Sequence, residues 1–465
     1  MSGYGNELLP SALVTVLIGM LYISCLLLIW KWRPGVFGIV LWEALRDPVR
    51  KLLPDYVVAL GIAGSLLWIA CLLGCLRGES RRGSKVVPRQ FYFPAVLLFA
   101  FLLLGTMAGC QHGIPVRVLG LGFVSHVFPF IGLIVGYHFG KQTNSVRQLL
   151  ALYTAFNAFL IGSTFLEIWG VKSQVLGGIM MEWYRFRGTH NIPLPSGIYR
   201  SPDILGLHAA HVLAFSLLLS MTAASKRWQM IWLAVMSWGG LILMISARRK
   251  MQGLTVVFLC VFVSLLIYHH KRFVLPTVRF PPLRRVALIS LLCGFCMLAC
   301  WAIIPSQLVY AASIVYESPA RITAAVFSSP SVTIRQSGVA GIGLGTATQG
   351  NSIVGNGYIS GWQEDGLSRL VLEGGLAGAI CMIVAIAILA MNGLRIVLRA
   401  ETDAVEQQTA VFVLAVGLLA IFAGNLACYG ISHQHFSGDP MFSALLGLWV
   451  GCLWSNVNTR QKDGL

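Results

Sequence analysis

Two clusters of polar side chains stand where apolar runs of this chain begin or end, and both have the makeup of a site that handles an anion and a proton. The first runs from Gly341 to Gly378. A glycine-rich turn, GIGLGTATQG, is followed by EDGLSRLVLEGGLAG, in which Glu364, Asp365, Arg369 and Glu373 lead into an apolar run. Charge at a membrane boundary is costly and generally serves a function. Glu364 and Glu373 are candidates to accept a hydroxyl proton, and Arg369 is a candidate to orient them or to steer a charged leaving group. The two glutamates are nine residues apart. In a helix they would point in opposite directions at about 100° per residue, so they converge only if Glu364 lies in a loop folded over the site. A structural account is also available, in which Glu373 pairs with Arg369 at i, i+4 and steadies the helix start.

The second cluster is Ser246-Ala-Arg248-Arg249-Lys250, three adjacent cations at a turn between two apolar runs. Guanidinium forks match the oxygens of a diphosphate and need no metal to do so. Arg200, in RSPDILG, and Arg335 fall on the same side of the membrane by the span order below, and they join Arg248 and Arg249 as candidate diphosphate ligands. The competing role for each is snorkelling to lipid phosphates. His208 and His211 share a helix face but lack a third ligand nearby in sequence, and core histidines are the expected reading. Cys293, Cys296 and Cys300 sit in a continuous apolar run without His or carboxylate partners and read as buried thiols. No metal site and no cofactor is expected. No nucleotide-binding or metalloprotease motif appears, and the glycine-rich turn lacks the lysine of a phosphate loop, so its glycines read as close backbone packing.

These residues must be positioned by a membrane bundle. The 465 residues are 57% hydrophobic and 11% charged, against roughly 25% charged in soluble domains. The pattern predicts an all-α polytopic membrane protein forming a single transmembrane helical domain over 1–465. Twelve spans are expected: 10–30, 54–76, 92–109, 117–140, 148–169, 204–222, 228–246, 251–268, 286–305, 367–391, 408–430 and 441–455. One long external loop, 306–366, separates spans nine and ten and is expected to hold short amphipathic helices such as Ser318 to Ser328. The net charge of +17 is read as loop charge on membrane-facing segments, not as a nucleic-acid surface. Lys31, Arg33, Arg46, Arg50 and Lys51 are expected outside between the first two spans, unless a helix from Pro34 carries part of the cluster across and makes the count thirteen.

In its span order and three local motifs the chain resembles the O-antigen ligase/polymerase family, glycosyltransferases of the bacterial inner membrane. ISARRKMQG (Ile245 to Gly253) looks like the family's arginine motif, GIGLG (Gly341 to Gly345) like its glycine turn, and LEGGLAG (Leu372 to Gly378) like its Glu-x-Gly-Leu-x-Gly run. The family places a histidine nine residues before that glutamate; here Glu364 stands there, with Asp365 at the following position. That departure favours a polymerase over a ligase and makes Glu364 the candidate stand-in. The resemblance implies metal-independent, inverting transfer from a lipid-diphosphate-linked oligosaccharide at the periplasmic face, within a bundle that holds the lipid. It also implies a chain-length regulator and a flippase as partners. A ligase that passes a finished glycan to a lipid or protein acceptor is the nearest alternative. A transporter or flippase of lipid-linked sugars is the alternative of another class, but it predicts mid-span charges and internal repeats, which the sequence does not display.

Overall fold

Apolar runs of about 20 residues, each long enough to satisfy its backbone internally as a helix, dominate the architecture. The computed structural model describes residues 11–83, 85, 87–177, 184–187, 190–272, 306, 309–310, 313–348, 351, 364–399, 406–432 and 440–458. In chain order these form α1 (Ser11–Trp30), α2 (Trp32–Leu52), α3 (Val57–Arg81), α4 (Tyr92–Gln111), α5 (Val116–Phe139), α6 (Thr143–Leu160) and the short α7 (Ser163–Ile168). A two-stranded antiparallel hairpin follows, β1 (Tyr184–Arg187) with β2 (His190–Pro193), Tyr184 facing Pro193. Then come α8 (Pro202–Met221), α9 (Lys226–Ile245), α10 (Arg249–Arg272), α11 (Ile314–Thr323), α12 (Ser329–Ser337), α13 (Gly366–Arg399), α14 (Glu406–Ile431) and α15 (Pro440–Asn458). Among the described residues, nine helices are long and apolar enough to cross a membrane. The protein is an all-α polytopic membrane protein. The expected span 286–305, with Cys293, Cys296 and Cys300, lies outside the described residues.

The closest helix pair is α5 with α15. Small residues let the backbones meet: a Cβ on Gly132 would overlap the Ala444 carbonyl, and one on Gly447 would overlap that of Pro129. Small residues at crossings are the usual means of packing helices in lipid, where apolar burial alone gives little drive. Beside this seam Tyr153, Phe215 and Trp449 pack edge to face with centroids 5.1 to 5.6 Å apart.

α2 settles how residues 31–53 are arranged. Its 21 residues extend about 31 Å at 1.5 Å per residue. At one end Trp32 packs on Gly74 and Gly78 near the end of α3, and Arg33 donates to the His138 carbonyl near the end of α5 (3.2 Å). At the other end Lys51 donates to the Gly197 and Val175 carbonyls (2.9 and 3.0 Å), in the segment before α8. The helix therefore runs from one face of the bundle to the other and divides the basic cluster between them. Of the two arrangements open for residues 31–53, this is the one with a helix that carries part of the basic cluster across the bundle, although α2 is not among the nine helices apolar enough to cross a membrane by composition. Its charges tolerate burial because they pair: Glu43 with Arg46 at 3.0 Å and with the Trp68 indole at 3.2 Å, Asp47 with Arg50 at 3.6 Å.

The segment between α10 and α13 contributes α11, one π turn (Ala324–Ser328) and α12. The short helical structure expected over Ser318 to Ser328 is present as the second half of α11 and the π turn. Together with the starts of α8, α10 and α13 and the ends of α9 and α14, this segment forms the face that carries the candidate site.

Candidate active site

The turn between α9 and α10 sets the geometry. Ala247 is fully buried with φ 51°, a left-handed conformation unusual for a residue with a side chain. Such strain is found where surrounding structure holds a functional turn in place. It delivers Arg248, Arg249 and Lys250 into a cavity of about 130 Å³ that is also lined by Asp203, Tyr310, Glu317, Arg321, Glu364 and Ser432.

Each cation in this cavity is held by a carboxylate. Asp203, in the first turn of α8, lies 3.0 Å from Arg248 Nε and 3.2 Å from Lys250 Nζ, and Arg248 and Asp203 are both buried. Lys250 also donates to Ser432 Oγ at 3.1 Å. Arg249 pairs with Glu317, donates to Ser313 Oγ at 3.0 Å and lies over the Tyr310 ring, 4.6 Å from its centroid. Arg321 and Glu364 pair at 3.1 Å at the mouth, each side chain 53% exposed. Four cations face three carboxylates, leaving the lining one positive charge in excess. A floor of locked guanidinium and ammonium groups with an open acid–base pair at the rim can bind a polyvalent anion and present a carboxylate to a group beside it.

A second, closed cluster lies at the start of α13. Glu373 is fully buried; His126 Nε2 is 2.5 Å from its Oε2, Arg369 Nε is 3.4 Å away, and Oε1 accepts from Ala347 N and Thr348 Oγ1, both at 3.2 Å. Arg369 also donates to Ser125 Oγ at 3.0 Å and Thr348 Oγ1 at 3.4 Å. The i, i+4 pairing read from sequence is present, inside a larger network. The glycine turn wedges this network against α4 and α5. Gly345 has φ 80°, and a Cβ there would overlap the Val118 carbonyl. Close backbone packing is thus what the glycines of this turn serve. Asp365 caps α13 by accepting from Ser368 N at 2.7 Å. Burial raises its carboxyl above the ordinary value, partly offset by the hydrogen bonds it accepts, the Ser368 N–H foremost.

From the closed cluster an apolar groove of about 180 Å³ runs between α4, α5, α13, α14 and α15. Ser125, His126, Arg369 and Tyr429 form its polar end, and side chains such as Leu98, Phe130, Ile386 and Leu446 line its length. The charged cavity and the groove share the end of α14: Tyr429 borders the groove, Ile431 and Ser432 the cavity.

Of the residues singled out in the sequence, Arg248, Arg249 and Glu364 come together in the charged cavity, while Arg369 and Glu373 come together in the closed cluster. Glu364 and Glu373 do not converge. Arg200 lines neither cavity; its backbone N donates to Asp47 at 3.3 Å and its Nε lies 4.0 Å from the same carboxylate. Arg335 is exposed on α12 and also lines neither. His208 and His211 are core residues, with His208 Nδ1 2.7 Å from Tyr153 Oη and His211 Nε2 3.1 Å from Asn425 Nδ2. Sequence reasoning missed His126, Asp203, Glu317 and Tyr310. A histidine inside an apolar run was a signal for the first, and Glu317 is one of three acids in the long loop. Tyr310 carried no signal. Among the described residues no three His, Cys, Asp or Glu side chains gather into a metal-binding group.

No protein-family model matches the sequence, and a search of curated proteins returns no match.

Proposed function

We propose that this protein is a membrane glycosyltransferase that polymerises lipid-diphosphate-linked oligosaccharide units into a surface polysaccharide at the periplasmic face of the bacterial inner membrane. The observation that carries the reading is the juxtaposition of a cation-lined cavity with an apolar groove along the same helix. A substrate with a diphosphate headgroup and a long lipid tail has both requirements in one molecule. Glycan polymerisation in particular, as opposed to another reaction of such a lipid, rests on the motif resemblance.

In this account Arg248, Arg249 and Lys250 exchange part of their pairing with Asp203 and Glu317 for the diphosphate oxygens, and the groove takes the lipid chain. A hydroxyl of the second unit attacks the anomeric carbon. A new C–O bond forms as the bond to the diphosphate breaks, with inversion, and the lipid diphosphate leaves with the electron pair. Glu364, released from Arg321, accepts the hydroxyl proton. The arginines stabilise the charge that develops on the leaving group. Glu373 and Arg369 act one step removed, fixing the glycine turn and the start of α13 on which Glu364 is carried. A chain-length regulator and a flippase are the partners that the motif resemblance implies.

Purified protein incubated with a lipid-diphosphate oligosaccharide should yield a ladder of lengthened chains. The ladder should vanish in Arg249→Ala and Glu364→Gln. One transfer onto a separate acceptor without a ladder would assign the ligase reaction instead. Movement of the lipid-linked sugar across vesicles without any glycosidic bond formed would sink the enzymatic reading.

A further inference from the structure

A second basic cavity, of about 270 Å³, lies at the opposite face of the bundle, between the α1–α2 turn and the last two turns of α3. Lys31, Arg33, Arg77, Arg81 and Arg82 line it together with Trp30 and Trp32, and no carboxylate does among the described residues. The nearest acid is Glu79, buried and already engaged by Lys141 at 2.6 Å, His138 at 3.2 Å, Arg82 at 3.3 Å and Arg33 at 3.7 Å. Arg33 lies 4.9 Å from the Trp32 ring centroid, and two of its buried nitrogens, Nε and Nη1, have no hydrogen-bond partner among the described residues. Arg77 and Arg81 are exposed. A concavity lined by five cations differs from a scatter of snorkelling side chains, because the charges border one volume.

The surfaces leading away from it are apolar. Leu26, Leu27 and Trp30 on α1 and Leu66, Ile69 and Leu73 on α3 are all exposed, on the helices that form the walls of the cavity. We propose that the cavity is a binding site for an anionic phospholipid. Its headgroup phosphate is held by the exposed Arg77 and Arg81, and its acyl chains lie along the outer faces of α1 and α3. Basic pockets between membrane helices suit such headgroups, and an indole at the rim suits the headgroup level. A free phosphate would satisfy the cations but would make no use of the apolar faces. The site lies across the bundle from the charged cavity, so it stands or falls independently of the glycosyltransferase reading.

The test uses the full chain in mild detergent, titrated with phosphatidylglycerol, phosphatidylcholine or inorganic diphosphate and followed by native mass spectrometry. The protein should retain phosphatidylglycerol in preference to phosphatidylcholine, and diphosphate should compete poorly. Arg77→Gln/Arg81→Gln removes two exposed charges and should weaken phosphatidylglycerol retention by about thirtyfold. Should that variant not fold, wild-type retention that falls as salt is raised reports the same contact. Equal retention of the two lipids, retention unchanged in the folded variant, salt-insensitive retention, or diphosphate binding as tight as the lipid would each overturn the proposal.

Discussion

The Arg369–Glu373 pair offers the sharpest test of the closed cluster. Replacing Glu373 with Gln keeps an amide oxygen that can still accept from Ala347 N and Thr348 Oγ1, while the oxygen that faces Arg369 and His126 loses its charge and its acceptor. Arg369 remains 3% exposed with its carboxylate partner gone. Breaking one side of a buried pair costs about 3–5 kcal/mol, mainly because the other charge is left uncompensated. Glu373→Gln alone should therefore destabilise the protein by about that amount. Adding Arg369→Met removes the stranded charge and should recover all but about 1–2 kcal/mol, a strongly non-additive cycle. Differential scanning fluorimetry of the four detergent-purified proteins, with elution profiles as a check on folding, reads this directly. If the double variant is as destabilised as the sum of the two singles, the pair is not coupled and the account of this cluster is wrong.

Three further outcomes follow from the geometry. Arg249→Lys keeps the charge but loses the planar contact with Tyr310 and the Nη1 donor shared by Ser313 and Glu317, so kcat/KM of the proposed chain elongation should fall about tenfold or more with the fold intact; an unchanged rate would remove Arg249 from the site. Gly345→Ala forces a side chain onto the Val118 carbonyl at φ 80° and should cost about 2–3 kcal/mol, seen as a lowered Tm. Asp365 is an acid whose folded-state pKa is raised, so the folded protein holds its proton more tightly than the unfolded chain does, and wild-type stability falls as pH rises above about 4 through the raised value. Asp365→Asn keeps an acceptor for Ser368 N and removes that penalty; its Tm relative to wild type should increase over this window, and a pH-independent difference would count against the assigned cause.

The long apolar helices were readable from composition, because a membrane span needs only length and apolarity. α2 was legible only as one of two alternatives, a charged external loop or a helix from Pro34, because its charges mask the apolar pattern of a buried helix. Its burial depends on Glu43, Arg46, Asp47 and Arg50 cancelling one another, and on Lys51 reaching carbonyls more than a hundred positions away. The same limit applies at the site. The i, i+4 pair of Arg369 with Glu373 is local and was visible. His126 is 247 positions from Glu373, and no sequence pattern joins them. Arg200 was grouped with Arg248 because both fall at the same membrane boundary, but membership of a boundary does not fix direction, and Asp47 on α2 holds Arg200 elsewhere.

The most direct test of the central claim is stoichiometric. The purified protein is given a defined lipid-diphosphate oligosaccharide, and released lipid diphosphate and new glycosidic bonds are counted in one reaction. One lipid diphosphate should be released for each bond formed, with both counts abolished together in Arg249→Ala and Glu364→Gln. Wild-type protein that forms no bond, or variants that release lipid diphosphate and form bonds at the wild-type rate, would contradict it.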